Sequence, residues 1–338
     1  MGKTERIAYL DVSRIIVAFL VIFGHLYTYS DDNDVRIFIY EFHLPFFFLV
    51  SGMLHKQSEP MPSIKKYTRL LLVPVLSFCA LFFIFSSITY YLGWDNFKSS
   101  WSSMLNHASY CSLVISYLKV TFVNFAFGEG MVNGPCWFLI ALFYCKVLTD
   151  IVIGDKYKWA YIVVAILFYL CCIRYNRYFW LANGLMAIPF FLCGYYLKDK
   201  INIIVKKVNP IVGFIFCFLF TVVLMKINGP VSMWTIRWGA YSWYVSMPLF
   251  YITGTIGSFM ILYLSSMFRK NNRYTLLAGN SLLVILCTQI FFVYISDTVL
   301  GYNLNYFVSF VISTIIMILC IGLNKMINVK FPFLLGKF

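Results

Sequence analysis

The sequence predicts an all-α membrane protein, a polytopic transmembrane helix bundle of about ten spans with its N-terminus and C-terminus cytoplasmic. Three observations carry that expectation. Hydrophobic residues make up 61% of the 338 residues and charged residues only 12%, with a mean hydropathy of +0.81. An ordinary soluble domain carries about a quarter of its residues charged. Apolar runs long enough for a hydrocarbon core of about 30 Å recur from one end of the chain to the other. Lysine and arginine divide unevenly between alternating connections, as the insertion machinery requires. No repeat, low-complexity linker or second domain interrupts the pattern, so residues 1–338 read as a single integral-membrane domain.

In chain order the runs fall at 7–29, 36–55, 68–92, 135–153, 158–175, 178–197, 210–227, 242–266, 277–297 and 304–326. No small-residue cleavage site follows the first, which is expected to be retained. Only Arg174, Tyr175, Asn176 and Arg177 separate the runs at 158–175 and 178–197. The long connection 93–134 starts polar and becomes amphipathic over 110–127, a stretch expected to lie on the membrane surface. With the N-terminus inside, 19 of the 27 basic residues fall at cytoplasmic ends. That face accounts for the net charge of +14 through anionic lipid, without any nucleic-acid partner. The ten cysteines show no C-x-x-C spacing and read as small core residues rather than metal ligands or a disulfide framework.

Three ionisable side chains interrupt the first run. Asp11 and Arg14 stand at i and i+3, and His25 follows Arg14 by close to three whole turns, so all three share one face. His25 lies roughly 16 Å above Arg14 along the axis. Intramembrane charge costs at least about 2.5 kcal/mol on insertion scales, which makes a site or a cavity the default reading. The plainer reading has Asp11 and Arg14 as a neutralising pair and His25 as a packing residue. The second run opens Tyr40-Glu41-Phe42-His43-Leu44-Pro45. A short hairpin brings Glu41 to the depth of His25, where a carboxylate would orient an imidazole as a general base, with His43 as the alternative partner. Pro45 frees a helix carbonyl toward any cavity there. The plainer alternative has Glu41 and His43 facing water at the interface. At the start of the third run, Lys66 and Arg69 at i and i+3 near a helix N-terminus form a candidate phosphate clamp, although basic residues are ordinary on an inner membrane face.

Taken together, Tyr9-Leu-Asp-Val-Ser-Arg14, Phe23-Gly-His25, Phe42-His-Leu-Pro-Phe-Phe-Phe-Leu-Val-Ser-Gly52, Lys66-x-x-Arg69-Leu-Leu-x-x-Pro74 and Gly134-Pro-Cys-Trp137-Phe-Leu-Ile-Ala-Leu-Phe143 resemble the integral-membrane acyltransferase-3 family, most closely its polysaccharide O-acetyltransferase branch. The resemblance implies transfer of an acyl group, usually acetyl, from acetyl-CoA to a sugar hydroxyl of a capsule, an exopolysaccharide or a lipid-linked precursor. It implies residence in a bacterial cytoplasmic (inner) membrane. The family's histidine maps onto His25, its arginine onto Arg14, and its R-x-x-R motif onto Lys66 and Arg69. Lysine at the first of these keeps the charge but loses bidentate geometry. Near Thr288 and Gln289, where relatives often carry a histidine, this chain has none.

On this combined reading His25 is the catalytic base, with Glu41 and Arg14 in the catalytic set. Lys66, Arg69 and Arg14 hold acetyl-CoA, His43 and Trp137 meet the sugar, and no metal is required. The competing expectation is a transporter or flippase of a glycan or lipid-linked sugar.

Overall fold

The computed structural model describes residues 8–26, 34–93, 108–154, 178–268, 273–301 and 304–337, and the isolated positions 159, 162 and 166. Among the described residues the chain is helical, apart from one pair of two-residue strands. Helix α1 is Ala8–Leu26 and α2 is Asp34–Met53. Helix α3, Pro60–Tyr91, contains a wide π turn at Thr68–Leu72. Next come α4 (Tyr110–Phe127) and α5 (Trp137–Gly154). Then follow α6 (Leu181–Lys207), α7 (Pro210–Asn228) and α8 (Trp243–Ser266). The short α9 (Arg273–Asn280) precedes α10 (Leu282–Leu300) and α11 (Tyr306–Lys330). Strands β1 (Val231–Ser232) and β2 (Arg237–Trp238) pair antiparallel between α7 and α8.

Local chemistry sets the helix starts. Prolines occupy the first helical position of α3 and α7, where a missing N–H costs nothing. Asn209 caps α7 by accepting from the Ile211 and Val212 amides, and Ser109 caps α4 by accepting from Ser112. Ten helices are long and apolar enough to cross a membrane, and every expected run except 158–175 has its helix. That run lies, but for three positions, outside the described residues. The tenth helix is α4, where a surface segment was expected. Residues 110–127 form a helix of 18 residues, and its direction along α3 is set by the aromatic contacts given below.

The chain falls into two compact units. The first comprises Met1–His55, Pro189–Leu283 and Asn305–Met317. In it α8 packs against α1, α2 and α7. The core joins Leu10 and Val17 of α1, Phe42, Phe46 and Leu49 of α2, and Met260, Ile261 and Leu262 of α8. Helices α2 and α6 touch backbone to backbone: a Cβ on Gly52 would stand 1.9 Å from the Phe191 carbonyl oxygen, and one on Gly194 would stand 1.9 Å from that of Leu49. Only glycine permits that approach, the small-residue crossing usual between membrane helices.

The second unit comprises Lys56–Ile188, Val284–Leu304 and Ile318–Phe338. Helix α5 runs antiparallel along the first part of α3. Asp150 meets Ser63, Lys146 meets Tyr67 and Cys136 lies near Cys79, so each step forward on one helix matches a step back on the other. Helix α4 runs back along the far part of α3, with Tyr110 against Tyr90 and Tyr91, and Tyr117 against Phe83. Its end, Phe125 and Phe127, meets Phe179 and Tyr178. The next residue, Trp180, stacks on Trp137 where α5 begins. Helix α4 therefore stops where α5 starts, and α3, with 32 residues and about 48 Å, is long enough to carry both.

Candidate active site

The α1 and α2 hairpin of the first unit positions the ionisable residues. Near the start of α1, Arg14 pairs through Nη2 with the Asp11 carboxylate, and its Nε donates to the Leu10 carbonyl at 3.3 Å. Asp11 is buried, and the guanidinium neutralises it within one helix turn. The arginine expected to serve both catalysis and the donor is thus held by its own helix.

At the other end of α1, His25 faces α2. Its ring lies edge-on to Tyr40, with centroids 6.5 Å apart, and among the described residues the titratable groups that face it are His43 and Arg36. Positions 36, 40 and 43 share one helical face, so α2 presents these three together. The Arg36 guanidinium stands over the Tyr40 ring at 5.0 Å, and the Tyr40 and His43 rings are 4.9 Å apart. His43 Nδ1 lies 2.9 Å from the Ile39 carbonyl oxygen. A carbonyl only accepts, so Nδ1 carries the hydrogen, and in the neutral ring the basic lone pair is on Nε2.

The expected pairing of Glu41 with His25 is not formed. Glu41 stands one residue round from Tyr40, about 100° away on the helix, and is turned from the His25 face. Its carboxylate is fully buried against the backbone of Val231 in β1. The backbone of Val231 offers it a hydrogen bond, and no side-chain donor among the described residues reaches either oxygen. The β1–β2 hairpin is brought to this end of α2 by α7, whose Lys226 Nζ donates to Asp34 at 2.6 Å. Depth along α2 is as expected; azimuth is not. The alternative partner named from the sequence, His43, is the one on the shared face.

Lys66, Arg69 and Trp137 belong to the second unit. The expected shared clamp of Lys66 and Arg69 is not formed. Arg69 sits in the π turn, whose wider winding breaks the i, i+3 alignment, and its Nε donates to the Gly336 carbonyl in the C-terminal turn. Lys66 instead lies over the Tyr67 ring at 5.0 Å, and Lys146 of α5 approaches the same ring at 5.1 Å. Asp150, one turn past Lys146, accepts from the Ser58 amide at 3.1 Å and from Ser63 Oγ at 2.5 Å. Trp137, expected to meet the sugar, is buried with its ring stacked on Trp180 at 6.0 Å.

Sequence reasoning missed Tyr40, Arg36 and Lys146 as members of these clusters. A signal was available for Lys146. It stands four residues before Asp150 within an otherwise apolar run, the spacing of an i, i+4 pair inside a span.

Comparison with known proteins adds one finding. The model of a family described as an acyltransferase domain, acyltransferase-3, matches residues 7–323, nearly the whole chain. No curated protein and no solved structure matches the chain.

Proposed function

We propose, from the premise that the chain belongs to the acyltransferase-3 family and is an integral-membrane acyltransferase, that it moves an acetyl group from acetyl-CoA to a hydroxyl of a sugar in a cell-surface polysaccharide or its lipid-linked precursor. The observation that carries this reading is the constellation of His25, His43, Tyr40 and Arg36 beside the buried Glu41 carboxylate, all inside an apolar hairpin. A packing role alone does not explain a buried carboxylate that no side chain among the described residues answers and that only the Val231 backbone meets, because burying such a group without full pairing costs several kcal/mol, on the order of a lost ionic hydrogen bond or more. A sugar hydroxyl is a donor that suits it.

In this reading Glu41 accepts a hydrogen bond from the acceptor sugar and orients it. His25 takes the proton of the attacking hydroxyl, the oxygen forms a bond to the thioester carbonyl carbon, and the carbon–sulfur bond breaks. Imidazolium His25 returns the proton to the departing sulfur, so the products are the O-acetyl sugar and free thiol. Arg36 supplies positive charge beside the developing oxyanion, and His43, its tautomer fixed by Ile39, holds the ring pair in register. Lys66 remains the residue assigned to a phosphate of the donor, whereas Arg14 and Arg69 serve structure. The N-terminus is placed inside the cell, in a bacterial cytoplasmic membrane, which sets His25 toward the outer face.

Release of free thiol from acetyl-CoA by purified protein in nanodiscs, with a panel of lipid-linked sugars present, tests the proposal. Wild type is expected to turn over. His25→Ala is expected to lose at least about a hundredfold while eluting as a folded protein, the range typical for a removed general base. Folded wild-type protein that neither binds donor nor releases thiol would sink the reading in favour of transport.

A further inference from the structure

We propose that Lys146 is the second cation of a phosphate-binding site in which Lys66 and Lys146 converge on the ring of Tyr67, a site that takes a phosphate group of the acyl donor. It rests on the reading that the donor is a coenzyme A thioester, and it replaces the clamp of Lys66 and Arg69.

The geometry points there from three directions. Two ammonium groups stand 5.0 and 5.1 Å from one ring centroid, one from α3 and one from α5. The two ammonium groups are therefore at most about 10 Å apart, close to the screening length at 0.1 M salt, and Lys146 feels the charge of Lys66. The charged groups that face Lys146 are Lys66 and Asp150, together with the Cys145 thiol. A single carboxylate thus answers two cations, and it is already an acceptor for the Ser58 amide and the Ser63 hydroxyl. Among these described groups the balance is one positive charge in excess. Lys66 is exposed and Lys146 half-buried, so the excess charge opens outward from the packed helices. An anion bridging the two ammonium groups completes the site.

The neighbouring guanidinium supports the assignment by being engaged elsewhere. Arg69 donates to Gly336 and fastens the C-terminal turn to α3. Lys66 and Lys146 both meet the Tyr67 ring.

A phosphate of this kind could belong to coenzyme A or to the headgroup of an anionic lipid, and the test separates them. Calorimetric titration of the full-length protein in phosphatidylcholine nanodiscs, with coenzyme A and with phosphate-free pantetheine, is run on wild type, Lys146→Gln, Lys146→Arg and Arg69→Gln. The proposal expects Lys146→Gln to raise the Kd for coenzyme A at least about tenfold and to leave pantetheine within about twofold. Lys146→Arg retains binding, and Arg69→Gln lowers Tm while leaving the coenzyme A Kd within about threefold. An unchanged coenzyme A Kd in well-folded Lys146→Gln overturns the site, and so does an equal loss for pantetheine. If Lys146→Gln instead loses co-purified phosphatidylglycerol with coenzyme A affinity intact, the anion is lipid and the proposal fails. Wild type that binds no coenzyme A fails the acyltransferase donor reading itself, which distinguishes the two.

Discussion

Glu41 and His25 stand at matching depth on neighbouring helices and do not meet, and that difference separates two chemical roles for the carboxylate. A carboxylate that oriented His25 would act on kcat and on the pH profile of transfer. A carboxylate lying against the Val231 backbone, away from His25, would on the proposed reading act on the acceptor. Glu41→Gln keeps one carbonyl acceptor and the side-chain volume, and is expected to raise the acceptor KM roughly tenfold, in keeping with about 1.5–3 kcal/mol for a hydrogen bond to a charged group. Slow loss of acetyl-CoA to water, measured without acceptor, is expected to stay within about twofold of wild type. A fall in kcat with an unchanged acceptor KM would return Glu41 to the orienting role. His43 gives a second test at the same scale. His43→Phe keeps an aromatic ring beside Tyr40 but deletes Nε2, and is expected to lower kcat by about ten- to a hundredfold with the donor Kd unchanged. What the sequence made legible here was depth, because a rise of about 1.5 Å per residue places His25, Glu41 and His43 along their helices. It could not say which face of α2 meets α1. That depends on α8, whose Gly257 and Gly254 pack against Phe42 and Pro45 and so fix the rotation of α2.

Among the elements, the close crossings are where single methyl groups matter most. Gly194→Ala places a carbon within 1.9 Å of the Leu49 carbonyl oxygen, so α2 and α6 have to part. Overpacking of this kind costs about 1–3 kcal/mol, and more where backbone is the obstacle. Thermal unfolding in detergent is expected to show a clear fall in Tm for Gly194→Ala. Gly322→Ala, whose new carbon meets nothing within 4 Å, is the matched control expected to show none. Equal Tm values for the two would contradict the crossing. The helices themselves were legible as apolar runs with proline starts, but their partners were not. Tyr67 with Lys146, and Asp150 with Ser58 and Ser63, join stretches far apart in sequence. The π turn at Thr68–Leu72 carries no residue pattern that distinguishes it from an α-helix, and it is what removes Arg69 from the face of Lys66.

Across the whole chain, the direction of each helix is the property most open to test. Helix α5 runs antiparallel to α3, and the first turns of α6 run beside α5 in the same direction. Trp180 stacks on Trp137, the Tyr144 hydroxyl donates to Phe179, and Gly184 lies against Tyr144. The end of α5 and the start of α6 therefore stand at opposite ends of this pair, although they are close in sequence. On the proposed orientation, with the N-terminus inside, the Asp150 end faces the cytoplasm. Helix α4 is long and apolar enough to span, yet it ends beside Tyr178, at the level where α5 begins. It thus lies along the far part of α3 and ends well short of the level of Asp150. In a variant lacking the other cysteines, Cys111 at the start of α4 and a cysteine at exposed Glu129 just past its end are both expected to react with an impermeant maleimide added outside intact cells. A cysteine at Val152 is expected to react only after the membrane is opened, and one at Tyr178 is expected to react from outside. Labelling of positions 111 and 129 from opposite sides would make α4 a crossing of its own. It would reverse every later helix relative to α3, which the antiparallel contacts of α5 with α3 do not allow.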